Sequence, residues 1–145
     1  MGCDVLNAAR EDYLLAIYRL TKEKDHTNSV SIARALGVSR ASVSEMVKKL
    51  SAEDLIIFSK NRIYLTEIGR KKAREVISTH RLWEFFLVEH LHLSQEEAHD
   101  QAHLLEHMTG AALRQALNAF LGFPSKSPGG KVIWDNINLG EEGED

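Results

Sequence analysis

A single cysteine, Cys3, is all the thiol this 145-residue chain has. No disulfide can form within it, and a reducing compartment is the natural setting. No stretch approaches the roughly 18 apolar residues that span a bilayer. The amino-terminal MGCDVLNAAREDY has none of the apolar run of a signal peptide, and Leu6 stands where myristoylation of a Met-Gly start needs Ser or Thr. There is no internal repeat. These absences predict a soluble, cytoplasmic protein. Positive charge is also short overall, at a net −3, which taken alone argues against nucleic acid.

The charge is unevenly spread, however. Residues 27–75 carry ten Lys and Arg against five Asp and Glu, whereas residues 76–145 carry four against eleven. A basic segment beside an acidic one suggests that the first meets phosphate and the second takes up cations. With 43% hydrophobic residues the chain can bury a core, as one domain or two small ones.

The acidic half also holds six of the seven histidines, between His80 and His107. His99, His103, Glu106 and His107 project within about 100° of one another on a helix, so they share a face. His80 and Glu84, four apart, share another. Imidazole and carboxylate at such spacing suit a borderline or hard divalent cation. A solvated polar face with scattered histidines is the plainer alternative for any one of them.

Apolar periodicity predicts a helix over residues 7–24, with Leu14, Ile17 and Tyr18 on its inner stripe. Ser31 to Leu36, the turn at Gly37-Val38 and a second helix capped by Ser39, with Val43, Met46, Val47 and Leu50 inward, form a helix-turn-helix pattern. Leu55–Phe58 and Ile63–Leu65, separated by the polar Ser59–Arg62, read as a β-hairpin wing. The expected fold is therefore mainly α: a winged helix-turn-helix followed by an all-α domain. In such a domain the second helix enters the major groove, and Ser39, Arg40, Ser42, Ser44 and Lys48, with Lys60 and Arg62 of the wing, are the candidate DNA contacts.

Beyond the wing, Thr66 caps a long helix from about Glu67 to Leu91, and Ser94 with Glu97 makes a capping box for the histidine-bearing helix. A last helix, Ala111 to Leu121, ends at Gly122 and Pro124. Leu104, Leu105, Met108, Leu113 and Leu117 are a surplus of apolar surface, read as a homodimer interface rather than as closure of the monomer's own core. The division expected is residues 1–74 for the winged helix, 75–123 for the helical domain and 124–145 for a loosely ordered tail rich in Ser, Pro, Gly and acid.

Across roughly residues 7–133 the chain resembles the diphtheria-toxin-repressor family of metal-dependent transcription factors, which includes the manganese transport regulators. The resemblance is carried by Glu11-Asp-Tyr-Leu-Leu-Ala-Ile-Tyr18, Val43-Ser44, His80-Arg-Leu-Trp-Glu84 and His99-Asp-Gln-Ala-His-Leu-Leu-Glu-His107. It implies a winged helix joined by a long helix to a metal-binding and dimerisation domain, in a two-domain form without an SH3-like domain. It further implies one metal site from Asp12, His103, Glu106 and His107 and a second from His80, Glu84 and His99. Position 103 is Cys in iron-type relatives and Glu in manganese-type ones, but His here. Asp12 leans toward the manganese group, where iron-type relatives have Met. Leu15 stands where manganese regulators place a further Glu, so the second site follows the other arrangement. Mn(II) is favoured, with Fe(II) or Zn(II) compatible, at up to two ions per subunit.

The function implied is a repressor that binds a pseudo-palindromic operator as a dimer when metal-loaded and controls metal-uptake genes, without being an enzyme. Two alternatives remain at this point. His103-Leu-Leu-Glu-His107 matches H-x-x-E-H, a zinc metallohydrolase pattern. A winged-helix regulator that senses an organic ligand is the other.

Overall fold

The helices that begin at Ser29, Arg40, Glu67 and Gln95 each start where a side chain satisfies a free amide. In the computed structural model, which describes residues 3–137, Asn28 caps α2 (Ser29–Leu36) by accepting from the Ser31 amide at 2.8 Å. Gly37 then turns the chain in the left-handed region at φ 66°, and Ser39 caps α3 (Arg40–Ala52) through the Ser42 amide. The first helix, α1, spans Cys3–Leu20 and so ends four residues before the expected Lys24. Residues 13–18 of α1 are all buried, far more than the narrow stripe expected.

The wing is β1 (Ile56–Ser59) paired antiparallel with β2 (Arg62–Leu65), with Ile56 opposite Leu65 and Ser59 opposite Arg62. Lys60 and Asn61 between them both have positive φ, 52° and 63°, the backbone of a type I′ turn that matches strand twist. Thr27 pairs with Ile63 on the outer edge of β2, a short extra bridge that the sequence pattern did not suggest.

The chain divides between Ala73 and Arg74 into two compact units, a division that falls within α4 (Glu67–Glu89). In the amino-terminal unit Leu14, Ile17, Ile32, Val43, Leu50, Ile56 and Ile63 are fully buried. Arg10 holds Glu53 with both contacts under 3 Å, tying α1 to the end of α3. Thr66 accepts from the Gly69 amide at the start of α4. A Cβ added to Gly69 would collide with the Leu55 carbonyl oxygen, so only glycine lets α4 approach the backbone just before β1 so closely.

The carboxy-terminal unit contains α5 (Gln95–Leu105) and α6 (Ala111–Phe120). Its core joins Leu82, Leu117 and Ile133, with Trp83, Phe86 and Leu121 against them. Two expectations fail here. Residues 124–137 are not a loose tail: Lys126 bridges to Val132, Ile133 is fully buried, and a short 3-10 turn spans Trp134–Asn136. Arg81 donates to the Val132 carbonyl at 2.7 Å, the Trp134 amide donates to the buried Ser78 hydroxyl, and Asn118 and Asn136 exchange amide hydrogen bonds. The polar composition concealed two adjacent apolar residues, Val132 and Ile133, that are both buried. Residues 138–145 lie outside the described part. Leu117, expected at a dimer interface, is only 6% exposed and belongs to the unit's own core. Among the described residues no helix is long and apolar enough to cross a membrane.

Candidate metal centre

The capping box forms at the head of α5, where Ser94 accepts from the Glu97 amide and Glu97 accepts from the Ser94 amide. This fixes the helix start, and with it where His99 falls against α4. His80 and Glu84 lie one turn apart on α4, so His99 meets both. The atoms His80 Nε2, Glu84 Oε2 and His99 Nδ1 form a near-equilateral triangle with edges of 3.2, 3.1 and 3.1 Å. Neighbouring ligands of an octahedral ion with bonds near 2.1 Å stand about 3.0 Å apart, so the donors are spaced for one cation. They are an imidazole, an imidazole and a carboxylate, the set that Mn(II), Fe(II) and Zn(II) accept.

The expected stripe of four ligands does not lie on one helix. α5 ends at Leu105, Glu106 is its C-cap, and His107 follows in a turn. The stripe also splits. His99 faces His80 and Glu84, while His103, Glu106 and His107 form a second group whose donor atoms lie within 4.8 Å of one another. Glu106 Oε2 is 3.2 Å from His107 Nε2 and 3.5 Å from His103 Nδ1. The Glu106 and His107 side chains are 4% and 6% exposed, whereas His103 is 56% exposed and opens the group to solvent. Buried carboxylate beside buried imidazole is a charge arrangement that a cation relieves.

Glu106 has a further contact that sequence reasoning missed. Its other oxygen, Oε1, accepts from His80 Nδ1 at 2.6 Å. His80 and Glu106 are 26 residues apart, and no spacing rule links them. Burial acts to lower the His80 pKa, but the hydrogen bonds and negative charges of Glu106 and Glu84 outweigh it and push the value up to about 9. For Glu84, burial acts upward and the contacts of His80 and His99 prevail, holding its carboxyl below the usual range.

Asp12 sits half-buried on α1 in the amino-terminal unit. In the same unit Ser39, Arg40, Ser42, Ser44 and Lys48 are all exposed, as are Lys60 and Arg62 of the wing. Arg40, Ser44 and Lys48 recur every four residues and line one stripe of α3. The Ser39 hydroxyl also donates to that of Ser42 at 3.0 Å, so both are already engaged in the cap.

Residues 5–63 match the model of the iron dependent repressor N-terminal DNA-binding domain, and residues 66–135 that of the iron dependent repressor metal-binding and dimerisation domain. The HTH-type transcriptional regulator MntR of Bacillus pumilus (strain SAFR-032) is 36% identical over 98 residues, which are 67% of this chain and 67% of that one. The chain belongs to the diphtheria-toxin-repressor and MntR family of metal-dependent repressors. The iron-dependent repressor IdeR of Mycobacterium tuberculosis (strain H37Rv) is 34% identical over 131 residues, 90% of this chain and 57% of that one. The solved structure of the manganese regulator SloR superposes with a TM-score of 0.72 at 38% identity, covering 86% of this chain and 58% of that one. The chain thus spans less than three fifths of the length of IdeR and SloR.

For a repressor of this family the two units have separate tasks. The matched amino-terminal domain contains the helix-turn-helix α2–α3 and reaches into β2 of the wing, and the matched carboxy-terminal domain contains the two clusters of histidine and glutamate donors.

Proposed function

We propose that the protein is a homodimeric repressor that binds a pseudo-palindromic operator when loaded with a divalent metal, Mn(II) above Fe(II) or Zn(II), and lowers transcription of metal-uptake genes in the cytoplasm. The observation that carries this reading is the triangle of His80 Nε2, Glu84 Oε2 and His99 Nδ1, three lone-pair donors spaced for one ion beside a second donor group. Two ions per subunit are proposed. His80, Glu84 and His99 hold one, and His103, Glu106 and His107 hold the other, with Asp12 as the ligand contributed from the DNA-binding domain. The choice of Asp12 rests on the resemblance, and carboxylate at that position, with no thiolate in either set, favours the harder metals. SloR is a manganese regulator and IdeR an iron-dependent repressor, so both metals occur among relatives.

A bound cation supplies positive charge and directional coordination. The residues supply the rest. As a ligand of that ion, the Asp12 carboxylate on α1 would tie the DNA-binding domain, expected over residues 1–74, to the carboxy-terminal domain, and so would fix the separation of two recognition helices. Half-sites one helical turn apart require about 34–36 Å, or a multiple of it. Arg40, Ser44 and Lys48 face the major groove, with Lys60 and Arg62 on phosphates. Leu104, Met108 and Leu113, at 64, 61 and 50% exposure, are proposed to meet the partner subunit, together with the half-buried Leu105. The hydrolase alternative needs Glu106 free to act as a base, but both its oxygens already face histidines.

Fluorescence anisotropy of a duplex selected in vitro from random sequence tests the reading. Mn(II) should tighten binding at least tenfold over EDTA, and Asp12→Ala should lose most of that difference while keeping its helical content. Equal affinities with and without metal would refute it.

A further inference from the structure

The carboxylate of Glu106 points one oxygen at each donor group. Oε2 faces His103 and His107, and Oε1 takes the His80 ring at 2.6 Å. A histidine that offers Nε2 to an ion must be neutral there, so its proton sits on Nδ1 and needs an acceptor. The only acceptor that the described residues show for His80 Nδ1 is Glu106 Oε1. His80 is 13% exposed and Glu106 4%, so water competes poorly for that bond. Remove the acceptor and the ring is free to turn about its Cβ–Cγ bond, which takes Nε2 out of the triangle with Glu84 and His99.

We propose that Glu106 is a ligand of one site and, through Oε1, the positioning residue of the other: it fixes the tautomer and ring angle with which His80 binds the ion shared with Glu84 and His99. The proposal rests on both groups being metal sites. It separates Glu106 from His103 and His107, which belong to their own group alone. Loss of either histidine should affect one site, whereas loss of the Glu106 acceptor should affect both. Outer-sphere partners of this kind typically govern metal affinity by about 10–100-fold.

Calorimetric titration of the full chain with Mn(II) distinguishes these roles. His107→Ala should retain one ion per subunit, held by His80, Glu84 and His99, and that ion should be lost with the added change Glu84→Ala. Glu106→Ala should weaken the same ion by 10–100-fold relative to His107→Ala. Glu106→Gln, whose amide oxygen still accepts from Nδ1–H, should recover most of the loss. Equal affinity of His107→Ala and Glu106→Ala for the remaining ion overturns the proposal while leaving the metal sites standing. No binding by His107→Ala overturns both. A measurement on the unaltered protein covers the case in which Glu106→Ala does not fold. Nitrogen-15 NMR of the Zn(II)-loaded chain should show His80 protonated at Nδ1 and bonded to metal at Nε2, and the opposite tautomer overturns the proposal.

Discussion

At the scale of single residues, His80 carries the most consequence. It lies between two carboxylates, and in the metal-free protein its pKa of about 9 exceeds the 6.5 it has when unfolded. The folded state therefore binds more protons between these values, and stability falls as pH rises across them. The contribution of charged His80 is complete below pH 6.5 and lost as pH passes about 9. Glu84 has the opposite sign: its depressed value adds stability above its usual 4.5, which is lost as pH falls through the lowered pKa. Melting curves in EDTA should show the transition temperature dropping from pH 6.5 toward 9, with His80→Gln flattening that slope. An unchanged slope in His80→Gln would contradict the assignment. At neutral pH the uptake of an ion at His80 should also release about one proton.

At the scale of elements, the start of α5 is set by its capping box, and His99 and His103 ride on that helix. Ser94→Ala should cost about 1 kcal/mol in chemical denaturation, and more of the loss should be recovered on adding Mn(II) than in a cap variant of α2 such as Asn28→Ala. Equal recovery in both would show that α5 placement does not matter to metal binding. Ser94-x-x-Glu97, Gly37 after Leu36 and the Lys60-Asn61 turn are local signals, and each was readable because a few neighbouring residues decide the backbone there. The segment 124–137 was not readable, because Ile133 is buried in a cluster with Leu82 and Leu117, which are remote in sequence. Ile133→Ala should cost about 2–5 kcal/mol, measured by the same denaturation, and a loss under 0.5 kcal/mol would mean the segment does not close the core.

At the scale of the whole molecule, the histidine and carboxylate spacing indicated a cation but not how the donors divide. Spacing on one helix treats His99 and His103 as equivalent, yet it is His99 that meets α4, at His80 and Glu84, while His103 faces Glu106. Leu117 was misjudged for a related reason: an apolar position on an amphipathic helix reads the same whether it faces its own core or a partner. The family resemblance supplied Asp12, which no local pattern distinguishes from the other acids of α1. The measurement that bears most directly on the proposed metal control is an anomalous-difference map from crystals grown with saturating Mn(II). Two peaks per subunit are expected, one bounded by Asp12, His103, Glu106 and His107 and one by His80, Glu84 and His99. A map with no peak at the first group, or with the Asp12 carboxylate outside its coordination shell, would contradict the claim that metal couples the two domains.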